Sequence, residues 1–188
     1  MQKNKKIQII YAPKFFNYLK DKHLLLDTSV FIDTLSHEKE FIDFFDKCKK
    51  NNTFLVTIDP VKIEFNRGAE NQSRLKVKRQ LINSIVDYCL PIHASVYDQH
   101  IPFLVEKYRE GGKTVSLTDF FLGSLLIQHQ KDLCLLTKNP KDFPLSIFQL
   151  KSYVILKMNR ALQVYAVLIF KNVKKDSKKD KNFDKIPF

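Results

Sequence analysis

The chain's pattern predicts a three-layer α/β fold, a parallel sheet with helices on both faces. Short apolar runs of strand length alternate with longer segments whose apolar residues recur at helical spacing. The run Leu24-Leu25-Leu26 lacks the in-and-out alternation of a half-exposed strand, which is the pattern of a central parallel strand covered on both sides, and Leu133 to Thr137 is another short apolar run. At 188 residues and 44% apolar, with sixteen Phe, the chain suits one domain with ample core. In such sheets ligands bind beyond the carboxyl ends of the strands, where the winding reverses.

Taken in order, residues 1 to 22 mix Lys, aromatics and Pro13 and read as an arm or a short helix around Phe15 to Leu19. Leu24 to Leu26 is the first strand; it stops at Asp27-Thr28-Ser29, and a helix begins at Val30 with Asp27 or Ser29 as cap. Phe41, Ile42, Phe44, Phe45 and Cys48 fall on one face of a helix over 37 to 50, ended by Asn51-Asn52. Phe54 to Ile58 is a second strand. Asp59-Pro60 then starts a helix, because Asp accepts from the free N–H groups of a first turn and Pro has no donor to lose there. Leu75, Leu81, Ile82, Ile85 and Val86 mark the next helix, and Cys89 to His93 a short strand.

Ser95 caps a helix on Val96, Ile101, Leu104, Val105 and Tyr108, which Gly111-Gly112 terminates through a left-handed C-cap. Ser116 followed by Asp119 resembles a capping box before the apolar helix Phe120 to Ile127, with Asp in place of the usual Glu. Leu133 to Thr137 is a strand followed by the turn Lys138-Asn139-Pro140, and Tyr153 to Met158 a further strand. The expected organisation is an arm over 1–22, one α/β domain over 23–158, and an extension over 159–188 whose Lys171 to Lys181 stretch is a basic tail.

Lys and Arg number 32 against 20 acids, a formal charge of +12, so the surface attracts polyphosphates or an acidic protein. Three cysteines without C-x-x-C spacing suggest neither a disulfide framework nor a thiolate metal site, and point to a reducing compartment. With no signal peptide and no run approaching the ~20 apolar residues of a membrane span, the expected location is cytoplasmic. Four glycines cannot supply a phosphate-cradling loop, which excludes a P-loop or dinucleotide role. A phosphatase with Asp27 as nucleophile would want an acid two residues on, where Ser29 stands.

Against this basic background stand Asp27, Glu64, Asp119 and Asp142, each beside an apolar element. Singly each has a bland role: a helix cap, a helix acid paired with Arg67, an anion at a helix N-terminus, a loop residue bonding its own backbone. Together, in a cationic chain, they are candidates for gathering a divalent ion against an anionic substrate, the pattern of a nuclease. Arg67, Arg74, Lys76, Lys78, Arg79 and Lys113 are candidate phosphate contacts, or else a solvated face.

The segments Leu-Leu-Asp-Thr-Ser-Val-Phe-Ile-Asp (25–33), Thr57-Ile58-Asp59-Pro60 with the helix bearing Glu64, Gly111-Gly112 with Leu-Thr-Asp-Phe-Phe-Leu-Gly (117–123), and Leu-Leu-Thr-Lys-Asn-Pro-Lys-Asp-Phe (135–143) follow one another as they do in a known family. Over residues 23 to 158 the chain resembles the PIN-domain ribonucleases, in particular VapC-type toxins. The resemblance implies a PIN-like three-layer domain and an endoribonuclease holding Mg²⁺ or Mn²⁺ on Asp27, Glu64, Asp119 and Asp142. It further implies polar supports at Thr28 or Ser29, Thr137 and Asn139, a cognate antitoxin, and a homodimer for which Phe41 to Phe45 is a candidate face. The chain departs from the family at Asp59-Pro60, in the N-terminal arm and beyond Met158. The competing reading is a noncatalytic PIN-like domain that binds nucleic acid or acts as a scaffold.

Overall fold

The computed structural model describes residues 7–112, 114–158 and 161–171. Its elements run β1 (Gln8–Tyr11), α1 (Phe15–Leu19), β2 (His23–Leu26), α2 (Thr28–Ser36), α3 (Glu38–Lys50), β3 (Phe54–Thr57), α4 (Asp59–Arg67), α5 (Gln72–Ile85), β4 (Tyr88–Cys89), α6 (Ile101–Glu110), α7 (Leu117–His129), β5 (Leu133–Thr137), β6 (Phe148–Met158) and β7 (Ala161–Phe170). The strands form one sheet in the order β1-β6-β7-β5-β2-β3-β4. β5, β2, β3 and β4 are parallel, with helices in the connections. Leu24, Leu25 and Leu26 of β2 and every residue of β5 are buried, so the centre of the sheet is covered on both faces.

The other half is antiparallel: β7 pairs with β5 and β6, and β6 with β1. The sheet is therefore mixed, which corrects the all-parallel expectation. Only residues 159 and 160 separate β6 from β7, far too few for the crossover that parallel neighbours need. The boundaries expected at 22 and 158 do not separate units of the fold. β1 extends the sheet, Phe15 and Leu19 of α1 enter the core, and β7 lies between β5 and β6. The lysines of the expected tail, from Lys174 onward, lie outside the described residues.

Several local expectations shift by a residue or more. α2 begins at Thr28 rather than Val30, with Asp27 in the cap position. Ile58, not Asp59, precedes α4; Asp59 is in its first turn and pairs with Lys62 at 2.6 Å, so it answers the helix's positive end without capping it. The strand expected over 89–93 is only Tyr88–Cys89. The helix expected from Ser95 starts as one wide turn, the Ile101 N–H reaching Val96 O five residues back, before α6 proper. Gly112 takes the left-handed conformation, φ +61°, as the C-cap requires. Phe41, Phe44 and Phe45 are fully buried in the chain's own core, so the face considered for a homodimer is already occupied.

Candidate functional site

β2 lies between β3 on one side and β5 on the other, and chain order moves outward to β3 and β4 before returning to β5. The winding thus reverses between β2 and β5, and the carboxyl ends of strands at such a reversal are where open α/β sheets bind ligands. Asp27 follows β2 directly, Thr137 ends β5, and Glu64 is carried on α4 after β3.

Asp27 is 6% exposed. Its Oδ2 accepts from the Ser29 hydroxyl and from the Thr137 hydroxyl, each at 2.7 Å. Those hydroxyls are themselves held by backbone: the Lys138 N–H donates to Ser29 Oγ at 3.2 Å and the Asn139 N–H to Thr137 Oγ1 at 3.0 Å. Because each hydroxyl has its acceptor side filled by an amide, its single proton is directed at the carboxylate. Thr28 donates to Glu64 Oε2 at 2.7 Å, fixing that acid beside the first. Asp119 completes a capping box on α7: its Oδ2 accepts from Ser116 N–H at 3.0 Å and Ser116 Oγ at 2.7 Å, while its own N–H donates to Ser116 Oγ. Asp142 sits in the 3₁₀ turn Pro140–Asp142.

The four acids share one field. Burial pushes the Asp27 carboxyl above its ordinary range; the hydrogen bonds from Ser29, Thr137 and Thr28 oppose this, and the Glu64 charge adds to it. Asp119 is pushed up to about 6, first by burial, against its bonds from Ser116, and further by the charges of Asp27 and Asp142. The couplings Asp27–Glu64, Asp27–Asp119 and Asp119–Asp142 therefore join all four. Among the described residues no three His, Cys, Asp or Glu side chains lie at the spacing of a ready-made metal site. The acids are gathered electrostatically without closing around a point. In its chemistry the donor set fits a hard divalent ion, being oxygen only, with the acid nearest the centre oriented by hydroxyls.

The coupling gives a pH dependence with a definite sign. Asp119 binds its proton more tightly folded than unfolded, so its contribution to stability is fully present below about 3.8 and is lost as pH rises through about 6. In metal-free buffer the melting temperature of the wild type, taken relative to Asp119→Asn, is expected to fall between pH 4 and pH 7. A flat difference would show that the carboxylate is not held in this field.

Other residues are placed differently from the sequence expectation. Lys78 is engaged within the fold: Nζ donates to Phe65 O at 2.6 Å and lies 4.6 Å from the Phe65 ring centroid, clipping α5 to α4. Arg74, Lys76 and Arg79 are exposed on α5, and Lys113 lies outside the described residues. Arg67 lines a cleft of about 430 Å³ together with Glu64, Ile63, Leu117 and Phe121, next to the acids. Asn139 acts through its backbone N–H.

Sequence reasoning passed over four residues of the site. Tyr108 is fully buried, its hydroxyl has no hydrogen-bond partner among the described residues, and its pKa is raised by burial and then by Asp119 and Asp142. Asp33, Lys138 and Tyr165 form a second polar cluster: Asp33 Oδ2 accepts from Lys138 Nζ at 2.6 Å and from the Tyr165 hydroxyl at 2.7 Å. Asp33 stands in the Asp27-to-Asp33 segment, and its spacing of six could have drawn attention to it. Tyr165 lies on a strand the sequence did not disclose.

No family model and no curated protein matches the chain. Among solved structures the chain is similar to TrmN from Thermus thermophilus, at 13% identity and a TM-score of 0.31, over 81% of this chain and 45% of that one. It therefore spans less than half of that protein, and a similarity of this size decides nothing about fold or activity.

Proposed function

We propose that the chain is a metal-dependent endoribonuclease with a PIN-like three-layer domain, of the kind that serves as the toxin of a type II toxin–antitoxin pair. The observation that carries the reading is Asp27 at the carboxyl end of β2, bonded by Thr137 from the end of β5, with Glu64 bonded by the adjacent Thr28; the charges of Asp27 and Asp142 acting on Asp119 support it. In a chain of net charge +12, coupled carboxyl groups of which Asp27 and Asp119 are raised would offer a cation a place inside a surface that attracts polyanions.

In this reading the four acids hold Mg²⁺ or Mn²⁺. Such an ion, when bound, supplies Lewis acidity toward water and phosphate and neutralises charge developing on the leaving oxygen. The remaining work belongs to the chain. Ser29 and Thr137 fix the plane of the Asp27 carboxylate, and Thr28 fixes that of Glu64. Glu64, partly exposed as Asp119 and Asp142 also are, would orient a water and take its proton. Arg67 flanks Glu64 on the cleft wall, where a phosphate beside the scissile one would meet it. Family resemblance adds an antitoxin and a homodimer as partners.

A noncatalytic RNA-binding domain is the second reading, favoured by the absence, among the described residues, of three acids at metal-holding spacing. One experiment separates them. The wild-type chain is expected to cleave a structured RNA with Mg²⁺ or Mn²⁺ and to stop in EDTA, with RNA retained by filter binding under both conditions. Binding without cleavage in either metal would establish the second reading.

A further inference from the structure

The antiparallel half of the sheet has one face in the core and an outer face that is open only in part: Ala166 and Leu168 on it are buried, whereas the larger apolar residues around them are exposed. On the inner face Tyr165 packs edge-on against Phe41, ring centroids 5.5 Å apart. On the outer face cross-strand pairing places Ile10, Ile155 and Val164 in one row, Tyr153 beside Ala166, Leu150 beside Leu168, and Lys157 beside Leu162. These rows are apolar and open: Ile10 is 38% exposed, Tyr153 39%, Val164 49%, Leu150 50% and Leu162 63%, with Leu145 at 68% beside them. Leu145, Leu150, Tyr153 and Val164 also wall a cleft of about 450 Å³ whose floor is Ala166 and Leu168.

Single exposed apolar residues are ordinary, but a contiguous set in register across three strands marks a contact surface. Its shape suits a helix. Strands about 4.8 Å apart give a three-stranded shelf one helix wide, ~10 Å. Helices lie between the parallel strands in sequence, whereas β6 and β7 are joined by two residues and bring none of their own. The charge at the margin selects the partner's sign, since the exposed charged residues of β6 are Lys151, at its bulge, and Lys157. A second copy docked two-fold through this face would oppose those lysines to themselves in a chain of net charge +12.

We propose that the outer face of β1, β6 and β7 is a docking surface for an amphipathic helix of a partner protein, apolar on the docked side and acidic along its flanks. The inference stands apart from the nuclease reading and involves none of its residues.

The test uses the full chain and two synthetic 18-residue amphipathic helices with the same leucine face, one bearing Glu and the other Lys on its polar face. The Glu peptide is expected to bind saturably and to shift backbone amide resonances of β6 and β7, while the Lys peptide does not. Val164→Glu, which adds a charge at a half-exposed position, is expected to weaken that binding about tenfold or more, as burying an unpaired carboxylate requires. Its unchanged melting temperature would confirm that the fold is intact, and Leu162→Glu serves if it is not. Three outcomes would overturn the proposal: no saturable shifts on β6 and β7, equal binding of the Lys peptide, or a concentration-dependent dimer of the chain alone that Val164→Glu dissolves.

Discussion

Asp27→Asn is expected to remove RNA cleavage, by on the order of 10²–10³ in kcat, the loss typical of deleting one preorganised electrostatic group, while leaving the chain as stable as wild type or more so. The carboxylate is 6% exposed, and burial together with Glu64 raises its pKa in the folded chain. For such an acid the contribution to stability is present below the ordinary value near 3.8 and is lost as pH rises through the raised folded value, so without metal the ionised form is a net cost. Asparagine keeps one oxygen able to accept from both Ser29 and Thr137 and carries no charge, so the hydroxyl network survives and the repulsion with Glu64 and Asp119 is relieved. A site that sacrifices stability for function shows this opposition of effects. The measurements are cleavage in Mn²⁺ and thermal unfolding at pH 7 in EDTA. A variant that cuts normally would refute the assignment, and one that melts many degrees lower would show Asp27 to be structural.

What was legible beforehand follows from how local each signal is. The runs Leu24–Leu26 and Leu133–Thr137 announced themselves because a strand buried on both faces has no polar residue to blur it. The Ser116–Asp119 box was readable because both partners lie within one turn. β7 was not, although Ala161–Phe170 is largely apolar, because the lysine-rich residues after it lent the whole end the look of a tail. The all-parallel expectation failed with it, since pairing direction depends on the connection and not on the strand. At the site, the acids stood out by residue type and context. Their supports depended on long-range geometry: Thr137 reaches Asp27 across 110 positions, and Tyr165 reaches Asp33 across 132. Lys78 shows the converse, a cation that sequence offers to phosphate and folding assigns to a backbone carbonyl.

Lys138→Met should be the most damaging change outside the four acids, and the reason is a division of labour within one residue. Its ammonium pairs with Asp33, and its backbone N–H donates to Ser29 Oγ, which in turn holds Asp27. Methionine matches the length and apolar stem but leaves the Asp33 carboxylate without its cation in a largely buried position, with the Tyr165 hydroxyl as its remaining described donor. Breaking a fully buried pair from one side costs ~3–5 kcal/mol; the Lys138 side chain is 32% exposed and Asp33 12%, so the expected loss is about 2 kcal/mol after solvent screening. Asp33→Asn is expected to cost less, because it removes the buried charge, keeps an acceptor for Tyr165 and leaves a lysine that solvent already reaches. That asymmetry, read by chemical denaturation of both variants, separates a charge-burial effect from a lost contact, which would cost the same from either side. Loosening the 138–139 segment should also reach Asp27 through Ser29 and Thr137, lowering kcat by about 10–100-fold, as loss of an outer partner of a metal ligand does. KM should stay near wild type, because no substrate contact is altered. Lys138→Arg, which keeps the charge, is expected to recover most of both losses. If it recovers stability but not kcat, the segment's position and not its charge governs the carboxylate; if Lys138→Met matches wild type in both, the cluster plays no part in the site.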